Sequence, residues 1–311
     1  MKKRLVWILM MICIIAPLLI ASCGGESSAF VVINRESGSG TRDTFEEKVM
    51  TWTNDAGLRN SKQISIRSEQ YDSTQGVINA VATINDGIGY VSAGFLSNTT
   101  SVKAVTIDGI ACTKETVLNG SYPLARVLYF ITKGEANDAE KAFIYWVQND
   151  GQNFVEDEHY FRFPDGYKFV ETKVAANPGY QMGSDPVLDM TGGWTPNTLS
   201  EGGSTTVFPL ADRWSKEYKK VTGRNVIVAG GGSGTGVQST IEGLVDIGAI
   251  SRDLFSNERV GGDLIPYDIA IDGVAIIVSS HLYDDLGITN LTLEQVRNIF
   301  AGGTGTPFPT K

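Results

Sequence analysis

Histidine is nearly absent: His159 and His281 are the two in 311 residues, and they lie far apart in the chain. Nucleophilic triads that need histidine, and histidine-rich metal sites, have little to draw on. Cysteine is almost as scarce, with Cys13, Cys23 and Cys112. Cys13 is expected to leave with an N-terminal signal and Cys23 to carry lipid, so Cys112 stands alone. No intramolecular disulfide is expected, and Cys112 reads as a small buried hydrophobe. A basic excess is also missing. The 26 Lys and Arg face 35 Asp and Glu, which argues against nucleic-acid binding through a general basic face. A succession of long apolar runs is lacking, which excludes a multi-span membrane protein. With 42% apolar and 20% charged residues, the composition excludes a disordered chain, and 311 residues are enough for two globular domains of ordinary size.

What is present begins with an address. Lys2-Lys3-Arg4 precede an apolar run from Leu5 to Ala21, interrupted at Pro17. This is the layout of a signal peptide over residues 1–22. A transmembrane anchor is the competing reading, for which the run is slightly short. The run ends in Ile20-Ala21-Ser22-Cys23-Gly24, which resembles a bacterial lipobox. Cys23 is then expected to carry lipid (palmitate among its acyl chains) and to become the mature N-terminus. Residues 23–29 form a flexible tether to an extracytoplasmic domain.

From Phe30 onward strand and helix patterns alternate. Apolar runs at 30–33, 87–91, 128–131, 226–228 and 274–278 read as strands. Helical patterns cover 43–52, 139–147 and 293–300. Helical spacing also links Val77, Val81 and Ile84; Val207, Leu210, Trp214 and Tyr218; and Val237, Ile241 and Leu244. Repeated strand–helix units predict an α/β fold with mainly parallel sheets. Residues 164–198 break the rhythm with Asp165-Gly166, Asn177-Pro178-Gly179 and Gly192-Gly193, so an irregular linker is expected there.

Three glycine-serine loops precede helices: Asn34 to Thr41, Gly202 to Val207, and Gly230 to Gly236. The first turn of a helix leaves backbone N–H groups unpaired and carries partial positive charge. Glycine lets an anion approach the backbone, and serine and threonine add hydroxyl donors, so such a loop is suited to an oxyanion. One such loop alone is more often an ordinary cap; three, each placed before a helix, favour a site. A nucleotide P-loop would end in Gly-Lys-Ser/Thr, and no loop here does. Gly232-x-Gly234-x-Gly236 lacks the final spacing of a dinucleotide fingerprint. Arg35 adds a guanidinium able to grip a tetrahedral oxyanion by two bonds.

At these loops the chain resembles the phosphate-binding lipoproteins of bacterial Pst-type ABC importers (PstS-like), over about residues 30–163 and 199–304. Arg35-Glu36-Ser37-Gly38-Ser39-Gly40-Thr41 is similar to that family's Arg-x-x-Gly-Ser-Gly-Thr phosphate loop, and Gly87-Ile88-Gly89-Tyr90-Val91 to one of its strands. Gly203-Ser204-Thr205-Thr206-Val207, Gly232-Ser233-Gly234 and Asp246-Ile247-Gly248-Ala249-Ile250-Ser251-Arg252 resemble the motifs of its opening half. The halves stand in the reverse of the family order, which implies a circular permutant, or a truncated tandem copy offering the same residues. The implied fold is α/β and two-lobed, periplasmic-binding-protein-like of type II, with two hinge strands and the anion between the lobes. One lobe is expected from 30–124 plus 274–311, and a continuous one from 125–273 with the linker at 164–198 inside it.

The resemblance implies roles residue by residue. Arg35 supplies charge, Ser39 a hydroxyl, Gly40 and Thr41 backbone N–H groups, and Thr41 a hydroxyl as well. The opposite lobe gives Thr206, the Val207 N–H and Ser233. Ser251 and Arg252 stand where relatives read Ser-Asp, whose aspartate accepts the proton of hydrogen phosphate; Asp253 and Glu36 are the substitutes at hand. The implied function is capture of inorganic phosphate for a membrane permease, by a chain held to the membrane through lipid. No catalytic residue, metal or cofactor is implied. The alternatives are another oxyanion (sulfate or molybdate), a sensor or adhesion lipoprotein of the same fold, and a phosphatase using Ser39. No histidine neighbours Ser39 in sequence to activate it.

Overall fold

A 16-residue strand, Leu264–Ser279, runs through both halves of the molecule. Its first part pairs antiparallel with Ala125–Lys133, from Leu264 opposite Lys133 to Gly273 opposite Ala125, with a bulge between Asp268 and Ala270. Its last part pairs antiparallel with Gly87–Ser92, Val274 lying opposite Ser92. Beyond Ala125–Lys133 the sheet continues through Ile247–Ile250, Thr198–Gly203 and Asn225–Gly230. Beyond Gly87–Ser92 it continues through Val31–Arg35 and Glu69–Tyr71. The computed structural model describes residues 30–54, 57–97, 99–169 and 198–302. The expected signal peptide, Cys23, the tether, most of the linker and the tail from 303 lie outside the described residues.

The outer ladders are parallel, as strand–helix units require. The central ladders are antiparallel, so "mainly parallel" gives way to a mixed sheet. The reason lies in the path of the chain. It passes from one half to the other at Leu124–Ala125 and returns at Gly273–Val274. Two such passages side by side must run in opposite directions. Val274 N–H donates to the Leu124 carbonyl at 2.9 Å and the Tyr122 hydroxyl to the Val274 carbonyl at 2.9 Å, which ties the passages together.

Two large apolar cores flank these passages. One is drawn from residues between Leu128 and Ala270 and holds Phe130, Phe143, Trp146, Trp214 and Tyr218. The other is drawn from residues between Val32 and Leu124 and between Val274 and Phe300. In it Phe45 stacks on Tyr90 at 4.2 Å between ring centroids, and Phe300 lies 4.5 Å from Phe45.

The helices begin where their caps are written. Ser73 accepts from the Gly76 amide at the start of Thr74–Thr83. Asn137 and Glu140 form a capping box on Asp138–Gln148. Phe208–Thr222 has Pro209 in its first turn and ends at Gly223, whose φ of 74° suits a residue without Cβ. Ser233–Glu242 stops at Gly243, which leaves Leu244 beyond the helix and exposed. The helical pattern at 43–52 is shorter than expected. Gly40–Phe45 is α-helical and Glu46–Met50 forms a wider π turn. Trp52 then lies in a short strand, Thr51–Thr53, paired with Arg59–Ser61. Its β-branched and aromatic residues favour that state. Cys112 is half-buried rather than buried, and burial pushes its thiol up to about 12, so it is an inert packing group.

Candidate functional site

The three glycine-serine loops meet where the two cores face each other. Val31–Arg35 delivers Arg35 at its end, and Ser39 caps the helix Gly40–Phe45, its side chain accepting from the Arg42 amide. On the facing half, Thr198–Gly203 leads into Ser204–Val207, Ser233 opens Ser233–Glu242, and Ser251 follows Ile247–Ile250. The approach is very close at Gly40. A Cβ there would stand 2.2 Å from the Ser233 Oγ and 2.6 Å from the Ser251 Oγ, so any other residue would push these two side chains aside. Main chain also joins the halves directly, since Gly234 N–H donates to the Gly38 carbonyl at 2.8 Å.

Arg35 is 1% exposed. Its Nε and Nη2 each donate at 2.8 Å to the Glu36 carboxylate. Its Nη1 reaches the Thr74 Oγ1 at 3.2 Å, and its Nη2 crosses to the Thr205 Oγ1 at 3.0 Å. Thr41 and Thr206, from opposite halves, place their hydroxyl oxygens 3.0 Å apart. The Ser233 Oγ accepts from the Ser251 amide at 3.0 Å and lies 3.3 Å from the Ser251 Oγ. Arg35, Ser39, Gly40, Thr41, Thr206, Ser233 and Ser251 are therefore brought together and buried.

Two expected residues have other work. The Val207 N–H donates to the Ser204 carbonyl at 3.1 Å, so it is taken up within its own turn. The Arg252 guanidinium is bound to Asp43 at 2.7 Å and Glu258 at 2.8 Å and lies over the Phe255 ring. Asp43 belongs to the facing half, so this arginine ties the halves together beside the cleft. Burial raises the Asp43 carboxyl above its ordinary value, against the pull of Arg252. Of the two substitute carboxylates, Glu36 lies in the cleft on Arg35. Asp253 instead accepts from the Tyr129 hydroxyl at 2.6 Å.

Sequence reasoning missed a second buried arginine. Arg126 donates from Nε and Nη2 to Asp272 Oδ2 at 2.9 and 2.7 Å. Its Nη1 donates to the Thr41 Oγ1 at 3.1 Å and the Ser251 carbonyl at 3.0 Å, and its Nη2 to the Thr206 Oγ1 at 3.4 Å. Ser92 donates to the other oxygen of Asp272. The available signal was a charged residue inside the apolar run Arg126-Val127-Leu128-Tyr129-Phe130, which asks for a buried partner. Thr205 was also missed, being read as part of the loop rather than as a partner of Arg35.

The cleft thus presents two buried guanidinium groups and a ring of hydroxyls from both halves. That donor set suits a small multivalent oxyanion. The family model described as a PBP superfamily domain matches residues 22–150 and 191–307. Phosphate-binding protein PstS 2 of Streptococcus pneumoniae serotype 4 is 30% identical over 295 residues, which covers 91% of this chain and 91% of that one. PstS 2 of Streptococcus agalactiae serotype V is 30% identical over 294 residues, covering 92% of this chain and 91% of its own. The crystal structure of a phosphate-binding protein of a phosphate ABC transporter from Streptococcus pneumoniae TIGR4 superposes with a TM-score of 0.62. That match has 28% identity and covers 91% of this chain and 99% of the other. The chain belongs to the PBP superfamily and, within it, to the phosphate-binding proteins of the PstS family.

Proposed function

We propose that the chain captures inorganic phosphate outside the cytoplasmic membrane and delivers it to the permease of an ABC importer, as a binding protein and not as an enzyme. The observation that carries this reading is the convergence of Arg35, Thr41, Thr206, Ser233 and Ser251 from opposite halves around Gly40. The PstS names of the relatives support the ligand and the transport role. Charge-assisted hydrogen bonds contribute roughly 1.5–3 kcal/mol each, and micromolar affinity needs about −8 kcal/mol. Half a dozen such donors exceed that after the cost of ordering both partners.

In this reading Arg35 carries the main charge contact, with Ser39, Gly40, Thr41, Thr206, Ser233 and Ser251 as further donors. Glu36 accepts the proton of hydrogen phosphate, which sulfate lacks at neutral pH. The lobes are 30–124 plus 274–311 and 125–273; the expected exchange of halves does not set the chain apart from PstS 2, which matches end to end over 91% of both chains. The motif order and the make-up of the two cores support this division. Cys23 holds the chain to the membrane through lipid, as the lipobox-like ending suggests, and Cys23→Ser is expected to abolish lipid labelling.

Calorimetric titration of the mature chain with phosphate, sulfate, molybdate and tungstate tests the reading. Phosphate is expected to bind most tightly and to raise the melting temperature. Glu36→Gln is expected to narrow the preference over sulfate. Absence of heat and of a thermal shift with all four anions overturns the binding function; preference for another of the four replaces the ligand.

A further inference from the structure

We propose that Arg126, clamped by Asp272, is a positioning residue of this cleft: it occupies the acceptor sites of Thr41 and Thr206 and so turns their hydroxyl protons toward the anion. The inference rests on the oxyanion reading given above and adds a residue that the phosphate-loop motif does not contain.

The geometry separates this role from that of a structural ion pair. Arg126 and Asp272 are direct cross-strand partners, one residue inside the passages at Ala125 and Gly273. Asp272 is 0% exposed and accepts from Arg126 and Ser92. If Arg126 served only to neutralise that carboxylate, the far side of its guanidinium would need no particular aim. Instead Nη1 makes both of its bonds away from Asp272, to the Thr41 Oγ1 and the Ser251 carbonyl, and Nη2 adds the Thr206 Oγ1.

Proton accounting gives the consequence. A hydroxyl has one proton and two acceptor positions. Arg126 donates to both threonine oxygens, so each keeps its own proton for donation. The Thr41–Thr206 contact can use one of the two. The other has no acceptor among the described residues, and an oxyanion entering between the threonines would take both. Arg126 and Thr206 stand on one half and Thr41 on the other. The arrangement is complete only when the halves are together, which links donor orientation to closure.

The test is phosphate calorimetry on the mature chain in a double-mutant cycle, with melting measured without phosphate to verify folding. Arg126→Gln is expected to weaken phosphate binding tenfold or more. Arg126→Lys is expected to recover only part, because one ammonium cannot serve both threonines and Asp272. In a Thr41→Val background the further loss from Arg126→Gln is expected to shrink to threefold or less. Should Arg126→Gln fail to fold because Asp272 is left unpaired, the neutral pair Arg126→Gln with Asp272→Asn enters the same cycle. Equal losses with and without the Thr41 hydroxyl overturn the positioning role in favour of a direct or general charge effect. Unchanged affinity of the folded Arg126 variants, with wild type still binding, overturns this inference alone. A wild-type chain that binds no phosphate overturns the functional reading and this inference with it.

Discussion

The core built between Leu128 and Ala270 and the core built from both sides of it solve the same packing problem differently. The first holds Phe130, Phe143, Trp146, Trp214 and Tyr218, all lying between the two passages of the chain. The second depends on an aromatic contact among Phe45, Tyr90 and Phe300, which come from widely separated stretches. Their gifts to the cleft also differ. The composite half brings Arg35, Glu36 and the tight turn at Gly38–Thr41. The continuous half brings the Thr205, Thr206, Ser233 and Ser251 side chains, and Arg126 at its border. Each half brings only part of this set of side chains.

The sharpest way to break the comparison is at the last helix, Leu293–Phe300. Phe300→Ala removes a fully buried ring and should cost about 4 kcal/mol. Thermal unfolding should then split, with the composite half melting first. A single transition lowered as a whole would mean that the two cores unfold as one unit.

The continuous half has a weakness of its own in Glu201. This carboxyl shares a strand face with Leu199, has no hydrogen bond at Oε2, and is pushed up to about 8 by burial. The folded form therefore keeps its proton while the unfolded form releases it above its ordinary value of 4.5. Stability from this group is present below that pH and is lost as pH rises toward 8, by roughly 3 kcal/mol at pH 7. Glu201→Gln should flatten the difference in denaturation midpoints between pH 5 and 8. An unchanged slope would show that Glu201 is ionised or paired in solution.

At the cleft, Arg35→Ala should weaken phosphate binding by about 3 kcal/mol while the fold is kept. Binding as tight as wild type would remove Arg35 from the site. Ser233→Ala, on the facing half, should cost roughly 1–2 kcal/mol, since one hydroxyl contact is lost. The double variant should depart from additivity, because loss of grip on either side also weakens closure. Strict additivity would argue that the two halves hold the anion independently.

Much of this was legible in the sequence because it is written locally. Ser73, Asn137 and Ser39 announce their helices by capping chemistry, and Trp214 and Tyr218 share a helical face. The loop Arg35 to Thr41 resembles a phosphate loop, and it is that resemblance, not local spacing, that implies Ser233 and Thr206 as its counterparts. What stayed hidden was set by distant pairing. Arg126 finds Asp272 only because two strands lie in register, 146 positions apart. The antiparallel centre of the sheet follows from the route of the chain between the halves, which periodicity does not record. Arg252 sits in a motif that suggested ligand contact, yet its partner Asp43 is 209 positions away.

The glycine contact between the halves has a consequence of another kind. Gly38 and Gly234 meet through main chain, and a Cβ on Gly234 would stand 3.1 Å from the Gly38 Cα. With no side chains between them, main chain meets main chain at this point, and the spacing of the two halves is held there by peptide groups rather than by rotamers. A methyl group on Gly234 would force Gly38 to give way by a few tenths of an ångström, a displacement that exchange of the neighbouring hydroxyls would not impose.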